Sequence, residues 1–160
     1  MTTAMAMMMR MANADVLPYD YEEFGRTIRS YVASIDRESA ARGWAFEAMP
    51  LGRAIDALER AGAAFNTSRD SVLAGVPAKT ATAKANALLM QVERALTRPE
   101  GLHTRPWYRN LIYAADENNG YSTMTFPSVN EAIRAGDHAL AQRERDDLVT
   151  RFGRATAYVD

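Results

Sequence analysis

No cysteine occurs in the sequence, which excludes disulfides, thiolate nucleophiles and thiolate metal ligands. The lack leaves the compartment open, because many exported proteins also do without cysteine. Histidine is scarce, with only His103 and His138. No window approaches the ~18 uninterrupted apolar residues that a membrane helix needs, so no membrane insertion is expected. Charge of one sign is also missing: the net charge is −1, with Lys and Arg spread among Asp and Glu. No basic field is available to attract nucleic acid or an anionic membrane. Alternating strand patterns are absent apart from "NLIYA" (Asn110 to Ala114), which is too short to define a sheet.

What is present is helix. At 160 residues and 48% hydrophobic, the chain suits one domain with a substantial core. Pro18 breaks what precedes it, and Asp20 with Glu23 has the spacing of a capping box. Phe24, Ile28, Tyr31, Val32 and Ile35 then form one apolar stripe, ending near Gly43. A second helix follows Pro50 with Leu51, Ile55, Leu58, Gly62 and Phe65 on one face; the polar run "NTSRDS" weakens it and "AGVP" stops it. The third spans about 80–98, with Leu88, Leu89, Val92, Ala95 and Leu96 inward. The last covers about 138–158, burying Ala141, Leu148, Phe152, Ala155 and Val159. Its run "QRERDD" is polar enough to lean on a partner or on water. The expected fold is all-α: a four-helix bundle with a long ordered loop between the third and last long helices.

Chemistry of the chain's own is hard to find. A di-metal bundle needs Glu-x-x-His on inward helix faces. The one match, Glu100 to His103, contains Gly101 and follows Pro99, so it reads as loop. No metal ligands and no catalytic residues are expected. A Gly-x-Ser-x-Gly elbow, a Ser–His pairing and a glycine-rich phosphate loop are all lacking. The start, "MTTAMAMMMRMANADV", mimics a signal-peptidase site at Ala12-Asn13-Ala14, yet no cation precedes its apolar run and Arg10 interrupts it. A short Met-rich helix in want of a packing surface is the better reading.

The exception to the helical pattern is "PWYRNLIYAADENNGYSTMTFPSVNEAI", Pro106 to Ile133. Trp107, Tyr108, Tyr113, Tyr121 and Phe126 place five aromatics in one stretch, and Trp and Tyr suit interfaces because they combine area with a polar tip. "ENNGY" reads as a tight turn. On composition alone, a long connection covering the bundle core explains the segment, although loops beyond ~12–15 residues are usually functional or disordered.

Three pieces, "ANADVLPYDY", "ERALTRPEGLHTRPWYRNLIYA" and "NNGYSTMTFPSVNEAI", resemble in order and spacing the transferrin receptor-like dimerisation domain. That is the C-terminal helical domain of glutamate carboxypeptidase-like zinc peptidases. The resemblance implies a noncatalytic domain whose parent carries zinc and the catalytic Glu in a preceding protease domain. No cofactor belongs to this chain itself. Residues 1–14 would be the last helix of that protease domain and residues 15–160 the helical dimerisation domain. The implied partners are a second copy, the protease domain and, in the intact parent only, a peptide substrate. Met5, Met8, Met9, Trp107 and Tyr108 would lie at interfaces. The segment matching "NNGY" would help line the substrate pocket, with the Tyr121 hydroxyl meeting a substrate carboxylate and Asn119 beside it. Glutamate-selective members carry Lys immediately before that Tyr. Here the residue is Gly120, which removes a charge-assisted bond worth roughly 1.5–3 kcal/mol and puts strict glutamate preference in doubt. The resemblance also points to an exported parent. An inactive receptor-like parent and a freestanding helical interaction module are the rival readings.

Overall fold

The computed structural model describes residues 2–160; Met1 lies outside the described residues. Eight elements follow in order: α1 (Thr3–Ala12), α2 (Tyr21–Ala40), α3 (Met49–Leu73), α4 (Lys79–Ala95), β1 (Tyr113–Ala115), β2 (Thr123–Thr125), α5 (Pro127–Arg134) and α6 (His138–Thr156). The four long helices are α2, α3, α4 and α6, so the fold is all-α with one very small hairpin. Among the described residues, no helix is long and apolar enough to cross a membrane.

Local signals explain where the helices begin and end. Asp20 Oδ1 accepts from the Glu23 N–H at 3.0 Å, satisfying one of the unpaired donors at the start of α2. The Glu23 carboxylate turns to Arg26 instead of reaching back, so only half of the capping box forms. Beyond α2, Gly43 takes φ +75° and turns the chain towards α3. The Asp137 side chain caps α6 by accepting from the Leu140 N–H at 2.8 Å.

The α2–α3 contact is unusually close, and glycine is the reason. A Cβ on Gly62 would lie 2.3 Å from the Glu22 nitrogen, and one on Gly25 would lie 2.9 Å from the Glu59 Cα. Ile28, Val32, Ile35, Leu51, Ile55 and Leu58 fill the seam, all buried. Tyr21 ties this pair to α4 by donating its hydroxyl to the Leu89 carbonyl at 2.8 Å.

Several expectations are corrected. Helix α3 stops at Leu73, just before "AGVP", as expected; its polar run "NTSRDS" is no weak point, because the polar side chains find partners. Asn66 Nδ2 donates to Asp20 Oδ1 at 3.1 Å and to Glu22 Oε2 at 3.2 Å, while Arg69 bonds Asn66 Oδ1. Leu88 is exposed rather than inward; α4 buries Thr82, Leu89 and Val92. Helix α4 also stops at Ala95 instead of near residue 98, since Thr97 leaves it to bridge with Asn110. "NLIYA" does contribute a strand, β1, paired antiparallel with β2. Finally, the polar stretch of α6 uses partners within the chain. Glu144 is buried and holds Arg98 through two bonds of 2.8 and 3.2 Å. Arg145 donates to the Glu47 carbonyl and lies over the Phe46 ring.

The stretch between α4 and α6 is ordered and lies partly within the core. Leu102, Leu111, Ile112, Ala114, Phe126, Val129 and Ile133 are buried, so much of it does cover the bundle. Gly101 takes φ +70° against the Pro106 carbonyl, where a Cβ would meet oxygen at 2.1 Å; no other residue fits there. Phe126 is fully buried yet left-handed, at φ 45° and ψ 55°. Such a backbone costs about 1–3 kcal/mol, which burial of the ring, worth about 1.5–3 kcal/mol, offsets. Its N–H donates to the Ile112 carbonyl at 2.9 Å, and Pro127 then opens α5.

Candidate functional site

The hairpin registers Tyr113 with Thr125, Ala114 with Met124 and Ala115 with Thr123. Strand alternation turns Ala114 and Met124 inward and leaves their neighbours towards solvent. Between the strands, residues 116–122 form a compact loop built on side-chain turns. Asp116 Oδ1 accepts from the Asn118 N–H at 2.9 Å, and the Asp116 N–H donates to the Ser122 carbonyl at 2.9 Å. Asn119 Oδ1 accepts from the Tyr121 N–H at 3.3 Å, while the Asn119 carbonyl receives the Ser122 N–H and hydroxyl. Asn and Asp make such turns because their short side chains imitate a backbone acceptor.

Two ion-pair groups brace this loop from below. Arg134, on α5, holds both Asp116 oxygens at 3.0 and 3.1 Å and reaches Glu38 on α2 at 3.1 Å. Arg105 pairs with the buried Glu131 and donates to the Ala115 carbonyl at 2.7 Å; the Thr104 hydroxyl takes the other Glu131 oxygen. The Asn118 N–H, acting against burial and with help from Arg134, holds the Asp116 carboxyl below the usual carboxylate range. Tyr108 adds a third support by donating its hydroxyl to the Tyr113 carbonyl at 2.8 Å. An open cleft of about 790 Å³ lies alongside, lined by Glu38, Arg42, Asp116, Asn119, Glu131 and Arg134 among others. Most of its charges are spent on one another.

The residues singled out from sequence fall in three places. Tyr121 sits at the loop tip, fully exposed; its neighbour Asn119 is exposed and shapes the turn beneath it. A Cβ on Gly120 would meet nothing within 4 Å. Trp107 is 76% exposed, whereas Tyr108 is half-buried and tied inward. Met5, Met8 and Met9 stand out on α1, which buries none of its residues. The Met helix and the loop are thus both bare, and they belong to separate elements. His138 stacks on Trp44 with ring centroids 3.4 Å apart, and His103 is exposed in the loop after Gly101. Among the described residues, no group of three His, Asp or Glu side chains is placed to hold a metal ion.

Sequence reasoning missed the brace. The partners it joins, Arg134 with Asp116 and Glu38 and Arg105 with Glu131, are far apart along the chain, and single charged residues in a charge-mixed sequence carry no spacing signal. The same is true of Arg98 with Glu144.

The family model of the transferrin receptor-like dimerisation domain matches residues 46–160, which includes every loop and brace residue above except Glu38. The chain belongs to this family. Relatives of this dimerisation domain extend the likeness beyond the matched region. A "probable glutamate carboxypeptidase" of Arabidopsis thaliana is 26% identical over 125 residues, covering 78% of this chain and 18% of its own. A protein of the same description from Zea mays is 26% identical over 144 residues, covering 86% of this chain and 19% of its own. An "inactive zinc metalloprotease" of Schizosaccharomyces pombe is 36% identical over 70 residues, covering 44% of this chain and 9% of its own. The chain spans under a fifth of the length of these relatives. In the dimerisation domain, then, the braced loop is one surface that its own packing leaves unused, and the bare Met helix is another.

Proposed function

We propose that this chain is the noncatalytic, self-associating helical domain of a glutamate carboxypeptidase-like exopeptidase, and that its 116–122 loop completes the substrate pocket of a neighbouring peptidase domain. One observation carries the reading: Tyr121 is wholly exposed on a loop held rigid by two ion-pair groups. A large aromatic normally gains stability by burial, so a braced and bare one suits a ligand or partner. Its hydroxyl would donate to the C-terminal carboxylate of a peptide. Residues 1–14 fit the last helix of the peptidase domain, since α1 buries nothing here. Self-association is supported by the family's description. Zinc and the hydrolysis it assists would belong to the peptidase domain. Trp107 and the Met face would be covered by that domain.

The test is Tyr121→Phe. In the chain alone, the melting temperature should not change. In a protein joining this domain to its peptidase domain, kcat/KM should fall about tenfold for substrates with a free C-terminal carboxylate, the size of one charge-assisted hydrogen bond. Amidated substrates should be unaffected. Unfolding of the chain by this substitution would make Tyr121 structural and end the pocket reading.

The likeness to the inactive metalloprotease favours a second reading, in which the neighbouring domain has lost its activity. The two separate on whether that domain retains zinc-ligating residues and hydrolyses any peptide.

A further inference from the structure

The family's description requires a face for a second copy, and the corner where α3 turns into α4 has the properties of one. From Ser71 to Val92 the chain contains no Asp or Glu and only two cations, Lys79 and Lys84. Val72 and Leu73 are 49% and 40% exposed, and Val76 is completely exposed. Beside them runs a largely apolar groove of about 200 Å³, lined mainly by Val16, Phe65, Val72, Ala81 and Ala85 and also by Arg69. Projection and socket therefore share one patch, which is what a two-fold contact between identical surfaces demands. Val76 is also stiff, because Pro77 restricts the residue before it to extended conformations.

Charge points to the same occupant. Helix α3 ends with no basic residue in its last turn and carries Asp70 there, 69% exposed at its side chain and paired only with the adjacent Arg69. Helix α4 begins on Ala78 with no side-chain cap and no acid in its first turn, and with Lys79 at its first position. Each charge has the wrong sign for the dipole of its own helix end. Across a two-fold axis, the negative end of α3 in one copy would meet the positive end of α4 in the other.

We propose that this corner is the contact between copies of the chain, with Val76 of each copy seated in the groove of the other. The proposal rests on the reading of the chain as self-associating. It is separate from the Met face of α1 and from the aromatic loop, which that reading gives to the peptidase domain.

Sedimentation equilibrium on the full chain tests it. The wild type should dimerise, and Val76→Asp or Val72→Asp should weaken dimerisation by at least about tenfold with an unchanged helical circular dichroism spectrum. Both side chains are exposed, so neither variant threatens the fold. Met8→Glu should dimerise as the wild type does. If dimers survive both valine variants but are lost with Met8→Glu, the contact lies on α1; the proposal falls and self-association stands. A wild-type chain that stays monomeric at about 100 µM, a concentration at which even a weak specific dimer forms, overturns self-association and the proposal with it.

Discussion

The α2–α3 pair and the stretch from Thr97 to Asp137 are held by different physics. The helix pair is close-packed around an apolar seam, with Gly25 and Gly62 letting the backbones approach until no Cβ would fit; its ion pairs, such as Arg29 with Asp56, are more exposed than those of the stretch. The stretch between α4 and α6 has only the short α5 as helix. It seats Leu102, Leu111, Phe126 and Ile133 in the core and fixes the hairpin loop through Arg105, Arg134, Glu131 and Asp116. Apolar packing tolerates many arrangements of similar shape, whereas ion pairs require particular partners at particular distances. The stretch that must present a tip in one orientation is the one that relies on directional bonds.

Substitutions can break this contrast, starting with the most severe. Glu131→Ala would leave Arg105 largely buried with the Ala115 carbonyl as its remaining hydrogen-bond partner and the Tyr108 ring beside it; loss of about 3–4 kcal/mol is expected, measured by urea unfolding. Replacing both partners, Arg105→Met with Glu131→Leu, should recover much of that loss. If it does not, the brace stabilises by more than mutual neutralisation. Gly62→Ala forces a Cβ onto the Glu22 backbone and should cost about 2–3 kcal/mol, a fall in melting temperature of roughly 5–10 °C. A neutral effect would mean that the two helices are not held as close as described.

Asp116 tests the brace through pH. Its folded pKa lies below the ordinary value, chiefly because of the Asn118 N–H. Its contribution is therefore fully present above the unfolded pKa of about 3.9 and is lost as pH falls through the lower folded value. Relative to the intrinsic hydrogen-exchange rate at each pH, the 117–122 amides should lose protection in acid before the bundle unfolds. Asp116→Asn should produce that loss of protection at neutral pH and remove its acid dependence. A uniform loss of protection across α2 and α3 would instead make Asp116 part of the global fold.

The smallest effect is expected at Gly120. A side chain there meets nothing, and its φ is not in the left-handed range. Gly120→Lys should therefore change stability by less than about 0.5 kcal/mol, measured by thermal melting. With a peptidase domain attached, it should raise the preference for C-terminal glutamate over an uncharged residue. Destabilisation would show that the loop tip is strained rather than open.

Helix identity could be read from the sequence alone. The stripe from Phe24 to Ile35, the cap at Asp20 and the stops at Gly43 and Pro77 are local, each set by residues within a turn or two of one another. The exposed tip was legible for the same reason, since "ENNGY" can only turn. Leu88 misled because, within the apolar run Ala87 to Met90, local spacing does not say which residue faces a neighbour. The polar run in α3 gave no local sign of how it is held, because its hydrogen-bond partners, Asp20 and Glu22, come from the start of another helix. Residue types and local spacing thus determined the bundle and the long ordered connection with its tight turn. Tertiary structure alone decided that Arg134 meets Asp116 and Glu38, that Arg105 meets Glu131, and that Phe126 adopts a left-handed backbone to fill the core. Long-range ion pairs carry no periodicity, and a strained backbone is stable only once the surrounding packing exists to compensate for it.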